Sequence, residues 1–251
     1  MLRLEEARAA ILKDIRPGTA HESVPLAEAS GRYLAEAPRA RVDHPAFDNS
    51  AMDGYAVRLA DLAAHDFRLP LHGESSCGQA PAALQPSSTM RIFTGAPMPA
   101  GADAVVIQED IQAQDGRIVF PHSIKQGQHL RRRGEDFHAG DELLRPGQRL
   151  DAWKLALLST AGVEKIEVFR RARVLVVATG NELVAPGQAL QPGQIYESNR
   201  LATLLQIRAL GAEAIDGGTA RDEPDALRRL LRNAGAYDLV ITRGGASVGD
   251  H

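Results

Sequence analysis

Two acidic residues and a glycine-rich string are the strongest candidates for chemistry in this 251-residue chain. Glu182, Asp222 and the string beginning at Gly244 each follow a predicted strand. Carboxylates bind divalent cations, and glycines let backbone N–H groups approach an anion closely. The combination suits a phosphate with a divalent cation. The competing interpretation is local, with Asp222 as a helix cap and Gly244 and Gly245 as a tight turn, since the string matches no standard phosphate-loop pattern.

The elements that must position these residues alternate between apolar strands and amphipathic helices from about residue 173 onward. This order predicts a parallel sheet with helices on its faces, and ligands bind such sheets outside the carboxyl ends of the strands. The predicted strands are Arg173–Ala178, Ala212–Ile215 and Leu239–Thr242. One helix is predicted from Ser198 or Asn199 to Gly211, and another contains Pro224, Leu227, Leu230 and Leu231.

The preceding part of the chain has a different texture. Prolines recur between about residues 50 and 133 and disfavour long helices, which predicts a β-rich insert with a hairpin turn at Asp115-Gly116. Helical spacing predicts a first helix over Leu4–Ile15, and a shorter one is expected over Leu26–Ser30. Another helix is expected over Ala152–Thr160.

A second polar cluster lies in this earlier part, in the segments 43–55, 93–99 and 131–136. The consecutive arginines Arg131, Arg132 and Arg133 could clamp phosphate or molybdate-like oxyanions through their forked donors. The alternative is a solvated charge run beside acidic neighbours. Histidines show no paired spacing, and neither a Ser-His-Asp nor a reactive-cysteine pattern stands out.

Composition excludes several classes of protein. With 29 basic and 32 acidic residues the net charge is −3, which argues against a nucleic-acid-coating protein. No apolar run approaches the length of a membrane span, so neither nucleic acid nor membrane is an expected partner. The first residues do not resemble a secretory signal, and the single cysteine, Cys77, cannot form an internal disulfide. We therefore expect a cytoplasmic protein.

Six strings occur in an order typical of one family: FDNSAMDGYAVR, RIFTGAPMPAGADAVVIQED, RRRGEDF, ATGNEL, IYESNR and RGGASVG. On these strings the chain resembles the molybdopterin molybdotransferase family, which includes MoeA and the E domain of gephyrin. The resemblance implies Mg²⁺-dependent insertion of molybdate into adenylylated molybdopterin, with release of AMP. It also implies a homodimer whose sites combine the DNSAMDGYA and TGAP segments of one subunit with the α/β domain of the other.

The resemblance also assigns residues. It implies that Asp53, Thr94, Asp136, Glu182 and Asp222 are catalytic. The chemistry of carboxylates adds the hypothesis that Glu182 and Asp222 hold Mg²⁺. The expected substrate-binding residues are Gly244, Gly245, Ser247, Gly249 and Arg133.

The chain departs from the family pattern at three places. Asn181 stands where the family has an aspartate. Ala246 stands where the family's GGVSVG string has a valine. The family's further loops and C-terminal β-domain would lie beyond His251, so the expectation is a truncated chain that cannot complete the reaction alone. A noncatalytic binding or scaffold module of the same family is the main alternative. A generic nucleotide-binding domain would leave the N-terminal strings unexplained.

The predicted architecture is therefore a multi-domain α/β plus β fold. An N-terminal helical and mixed domain comprises residues 1–49 and 136–171, and a β-rich inserted domain comprises residues 50–135. An incomplete three-layer α/β domain, of the molybdopterin-binding kind, comprises residues 172–251.

Overall fold

A computed structural model describes residues 3–16, 18–80, 82–221 and 224–244. The helices are α1 (Leu4–Asp14), α2 (Leu59–Ala64), α3 (Ala152–Thr160), α4 (Asn199–Ala209) and α5 (Pro224–Leu231). The strands are β1 (His21–Pro25), β2 (Asn49–Ser50), β3 (Gly54–Val57), β4 (Arg68–Ser75), β5 (Thr89–Ile92), β6 (Ala104–Ile107), β7 (Gln112–Gln114), β8 (Arg117–Val119), β9 (Leu130–Arg131), β10 (Lys165–Phe169), β11 (Arg173–Thr179), β12 (Leu183–Val184), β13 (Ile195–Tyr196), β14 (Glu213–Ala220) and β15 (Leu239–Arg243).

The described residues form two compact units. Unit 1 takes its residues from the ranges 1–36, 146–152 and 165–251, and unit 2 from the ranges 37–145 and 153–164. These units are defined by internal contacts, whereas the three-domain division concerns parts that fold separately. That division stays a prediction.

Unit 1 contains the parallel sheet expected from the alternation of strands and helices. Its three strands lie in the order β14-β11-β15, and both neighbours run parallel to β11. Along β11, Val174 and Val176 pack with Leu204 and Ile207 of α4. The alternate positions, Leu175 and Val177, belong to the core on the opposite face. Period-2 alternation within an all-apolar strand thus buries both faces, as a central parallel strand requires.

One strand is longer than its sequence indicated. The strand expected at Ala212–Ile215 extends over Glu213–Ala220, because its pairing with β11 slips between Val176 and Ala178. Gly217 lies at this irregularity, where an added Cβ would be 2.7 Å from a side-chain methyl of Val177. Gly217 and its neighbour Gly218 allow this bulged strand to lie against β11.

Unit 2 is built on a six-stranded mixed sheet in the order β6-β3-β5-β4-β8-β7. Its two faces have separate cores. Ala56, Ile92 and Val105 contribute to one core, while Val57 and Val106 contribute to the other. This sheet confirms that the proline-rich insert is β-rich. The strands can form because the prolines fall mainly between them.

The remaining local expectations agree closely with the structure. Asp115 and Gly116 both have positive φ, at 51° and 73°, and join β7 to β8, as a two-residue hairpin requires. Helices α1 and α3 form where helical spacing indicated. The short helix expected at Leu26–Ser30 is a single 3₁₀ turn over Leu26–Glu28. No helix in the described ranges is long and apolar enough to cross a membrane.

Candidate functional site

An open cleft of about 420 Å³ lies at the carboxyl ends of β11 and β15 in unit 1. The strand order makes this position a topological switch point, because the chain leaves β11 for β14 on one side and later returns to the other side as β15. The lining residues are Ala178, Thr179, Glu182, Leu183, Ile195, Tyr196, Glu197, Ser198, Asn199, Thr242, Arg243 and Gly244. Two of the residues expected at the site, Glu182 and Gly244, therefore line one cleft.

Gly244 allows the ends of two strands to meet at the cleft. A Cβ added at Gly244 would lie 2.3 Å from the backbone oxygen of Thr179, and its φ is 113°. Both the contact and the backbone conformation exclude an ordinary side chain. Gly244 thus has a structural role, because it lets the ends of β11 and β15 approach each other closely, whatever ligand the cleft binds.

Glu182 presents an exposed carboxylate to the cleft. It has neither a hydrogen bond nor an ion pair from its carboxylate to any part of the chain that the structure describes. The carboxylate lies close to Gly180, where an added Cβ would be 2.5 Å from Oε2. Glu182 is therefore an uncompensated oxygen donor, which is the kind of group that a hard cation takes as a ligand.

Glu197 is buried in the wall of the cleft, with 6% of its surface exposed. It belongs to the string IYESNR, and the sequence had assigned it no role. Its Oε1 accepts the backbone N–H of Arg200 at 2.5 Å and thereby caps α4. The Arg200 guanidinium also contacts Asp216. Burial raises the pKa of Asp216, but the backbone N–H of Gly218 and the Arg200 guanidinium outweigh it, leaving that pKa below its usual value. The clue to this network was a glutamate directly before a predicted helix cap.

Arg243 is a second cleft residue that the sequence had not singled out. Its side chain is exposed, and it makes no ion pair with any described carboxylate. Among the described residues that line the cleft, the carboxylate of Glu182 and the guanidinium of Arg243 are therefore free. A guanidinium is well suited to phosphate oxygens.

Asp53 and Thr94 meet directly in unit 2. Oδ1 of Asp53 accepts both the backbone N–H and the hydroxyl of Thr94, each at 2.8 Å. The Thr94 backbone bond, followed by the hydroxyl bond and the charge of Arg91, holds the pKa of Asp53 below its usual value. Asp53 is therefore an exposed, ionised carboxylate held by a neighbouring loop.

Residues 48–51 bring the three polar segments of unit 2 together. Ser50 exchanges backbone hydrogen bonds with the TGAP turn, donating to Ala96 and accepting from Gly95. Asn49 and Ser50 also pair with the strand that contains Arg131. Segments separated by more than 30 residues in sequence thus become neighbours around one short strand.

The arginine run is paired with carboxylates rather than free. Arg131 contacts Asp136 at 2.9 Å, and Arg132 contacts Asp48 at 2.9 Å. Arg133 donates from Nε to Asp43 at 2.5 Å. This pattern favours the charge-run alternative over a ready oxyanion clamp, although the role of Arg133 in binding substrate stays a prediction. Asp136 also lies 3.6 Å from Nε2 of His44.

Four of the predicted site residues lie outside the described residues: Asp222, Gly245, Ser247 and Gly249. Their assignments, like those of the described site residues, stay predictions.

In the order β14-β11-β15, the first strand of the sheet lies between the second and the third, and the cleft lies where the strand order reverses. These features place unit 1 in the class of doubly wound α/β domains, which bind ligands at the carboxyl edge of the sheet. Residues 2–162 match the family model described as the MoeA N-terminal region (domain I and II), and residues 175–251 match a probable molybdopterin binding domain. The chain belongs to the MoeA family. The resemblance found in its sequence strings is confirmed.

Named relatives and solved structures agree with this assignment. The chain is 41% identical to the molybdopterin molybdenumtransferase of Haemophilus influenzae, over 100% of this chain and 62% of that protein. It is 41% identical to the Nostoc sp. molybdopterin molybdenumtransferase, over 92% of this chain and 54% of that protein. The crystal structure of a molybdopterin biosynthesis MoeA protein from Pyrococcus horikoshii matches at TM-score 0.83 and 36% identity, covering 96% of this chain and 63% of that one. The multi-domain α/β plus β architecture is thereby confirmed. The chain spans about 54–62% of the length of these two curated relatives.

Proposed function

We propose that this protein acts in molybdenum cofactor biosynthesis as a molybdopterin molybdenumtransferase, inserting molybdate into adenylylated molybdopterin and releasing AMP. The observation that carries the proposal is the cleft at the β11–β15 switch point, with Glu182 and Arg243 both free in its wall. The names of the relatives support it, since both curated proteins are molybdopterin molybdenumtransferases.

In this proposal the cleft holds the phosphate part of the substrate. Arg243 supplies forked donors to phosphate oxygens, and the glycine-rich string from Gly244 supplies backbone N–H groups. Glu197 is already committed to the α4 N-terminus, so phosphate binding falls to Arg243 and the string rather than to that helix end.

Glu182 would hold Mg²⁺, together with Asp222. The residues described form no group of three or more His, Cys, Asp or Glu suited to a metal. Mg²⁺ fits a site with one or two carboxylates, because it usually takes its other ligands from water and substrate phosphates. When bound, Mg²⁺ would neutralise negative charge that develops on the departing AMP.

Asp53 and Thr94 would act on the molybdate side of the reaction. Because Oδ1 of Asp53 is engaged by Thr94, its second oxygen remains to accept a polar hydrogen from substrate or water. We also propose a cytoplasmic homodimer in which this pair serves the α/β cleft of the partner subunit. That arrangement would place the two polar clusters in one reaction site.

The test is titration of AMP into the purified chain, with and without Mg²⁺, by isothermal calorimetry. We expect saturable binding that Mg²⁺ strengthens about tenfold, equivalent to roughly 1.4 kcal/mol. The Glu182→Gln variant should lose the Mg²⁺ effect. Glu213→Gln is the matched control, because Glu213 starts β14 and lies at the opposite end of the same sheet.

The result decides between two outcomes. Saturable binding with a Mg²⁺ effect that only Glu182→Gln removes would support the cleft as the nucleotide site. No saturable binding, or an equal Mg²⁺ effect in both variants, would contradict the proposal. Release of AMP from adenylylated molybdopterin on adding molybdate then tests the complete reaction, and the sedimentation mass tests the dimer.

A further inference from the structure

Arg91 occupies a central position on the sheet of unit 2, next to the Asp53–Thr94 pair. It lies on β5 and is paired in register with Tyr55 of β3. Its guanidinium carbon is 5.0 Å from the ring centroid of Tyr55 and 5.0 Å from that of Phe93. The guanidinium therefore makes cation–π contacts with two aromatic rings. These contacts stabilise its position.

The same guanidinium joins two strands through its hydrogen bonds. Nη1 donates to the backbone oxygen of Gly54 at 3.2 Å, and Nη2 donates to Oε1 of Gln108 at 2.5 Å. Gly54 begins β3 directly after Asp53, and Gln108 directly follows β6. Arg91 thus ties together the two strand ends that flank Asp53.

The connection reaches Asp53 itself through its backbone. The backbone N–H of Gln108 donates to the carbonyl of Asp53 at 3.1 Å. Thr94 follows Phe93, whose ring is one of the two that contact the Arg91 guanidinium. The Asp53 main chain and the Thr94 loop are therefore both anchored to one side chain.

We propose that Arg91 is a positioning residue for the Asp53–Thr94 pair, an inference that rests on the proposed function of that pair. Its forked donors hold the backbone around Asp53, and its contact with Phe93 holds the loop from which Thr94 donates. A lysine would keep the charge but could not donate to Gly54 and Gln108 at the same time in this geometry, because an ammonium is not a planar fork. The positive charge also contributes to the lowered pKa of Asp53.

The test compares Arg91→Met, Arg91→Lys and Arg117→Met in the same chain. Arg117 is the matched control, because it is an exposed arginine on β8 of the same sheet. Amide hydrogen exchange of Thr94 and Gln108 reports the two bonds to Asp53, and carboxyl NMR titration reports the pKa of Asp53. Molybdate-dependent AMP release gives kcat and KM for each variant.

We expect Arg91→Met to accelerate exchange at Thr94 and Gln108 about tenfold, the effect of losing roughly one hydrogen bond, and to raise the pKa of Asp53. Arg91→Lys should accelerate exchange while leaving that pKa nearly unchanged, a separation that a general loss of stability would not produce. The kcat for AMP release should fall in both variants, with KM little changed, and Arg117→Met should behave as wild type.

Two outcomes would overturn the inference: exchange at Thr94 and Gln108 that is the same in Arg91→Met as in Arg117→Met, or equal acceleration of every amide in β3, β5 and β6. The second outcome would mean that Arg91 only stabilises the sheet. Exchange in Arg91→Lys tests the same point should Arg91→Met fail to fold. AMP release by the wild-type chain bears on the proposed function, whereas the exchange and titration data decide, with or without that release, whether Arg91 positions Asp53.

Discussion

Gly54→Ala should strongly destabilise unit 2, because Gly54 lies where two strands approach more closely than any side chain permits. A Cβ at this position would be 2.0 Å from the backbone oxygen of Val106. Ordinary van der Waals contact begins near 3.4 Å, so β3 and β6 would have to separate locally by about 1.4 Å. The backbone conformation at Gly54 needs no positive φ. The constraint therefore comes from the neighbouring strand alone.

The cost follows from what such a separation breaks. Overpacking a core costs about 1–3 kcal/mol, and here the obstructing atom is backbone, which cannot move to another rotamer. Moving the strands apart by more than 1 Å also lengthens the ladder hydrogen bonds around Gly54 and Tyr55 beyond bonding distance. A buried group left unpaired costs about 1–3 kcal/mol. We therefore expect a loss of about 3 kcal/mol or more, and a fall in Tm of roughly 6–12 °C.

Urea and thermal unfolding, followed by circular dichroism, measure this cost. Gly235→Ala is the matched control, because its added Cβ would meet nothing within 4 Å and its φ is not positive. That variant should change stability by less than about 1 kcal/mol. A Gly54→Ala variant within 1 kcal/mol of Gly235→Ala would refute the argument that close strand approach selects glycine beside Asp53.

Three further predictions concern the cleft, an ion pair and the core. Gly180→Ala should displace the Glu182 carboxylate, which an added Cβ would meet at 2.5 Å, and so weaken Mg²⁺-dependent AMP binding in calorimetry; because φ at Gly180 is 157°, the variant should also lower Tm. The Arg170 guanidinium holds the pKa of Asp238 below its usual value. The ionised carboxylate therefore stabilises the fold above about pH 4, and this contribution falls as the pH falls. In urea unfolding, Asp238→Asn should lower the free energy of unfolding more at pH 7 than at pH 3. Leu158→Ala, at a fully buried position of α3, should cost about 2–5 kcal/mol, and a cost under 1 kcal/mol would mean that this site collapses around the lost volume.

The sequence was most informative where local patterns and packing agree. The uninterrupted apolar run Val174–Ala178 could be buried on both faces only as a central strand, and it became β11. Asp115-Gly116 specified a hairpin through the positive φ values that both residues adopt. The cleft edge was also predictable, because parallel strands bring their carboxyl ends together wherever the helices between them are correctly placed.

Side-chain pairing was the part that local patterns could not determine. Arg133 pairs with Asp43, 90 residues earlier, and Arg170 pairs with Asp238, 68 residues later. No spacing rule connects such positions. The extent of β14 was also misjudged, since Gly217 suggests a loop unless the neighbouring Val177 side chain is known to fill the space that a Cβ would occupy.

The charges of the cleft connect the proposed phosphate and Mg²⁺ sites. Glu197 pairs with Arg200, which also contacts Asp216, so Glu197 is already engaged by groups of the wall itself. Glu182 and Arg243 line the same cleft without pairing to each other. A phosphate alone would satisfy Arg243 but would be repelled by Glu182, whereas a cation alone would do the reverse. A phosphate that carries Mg²⁺ satisfies both, which is why loss of Glu182 should remove the Mg²⁺ effect on AMP binding rather than AMP binding itself.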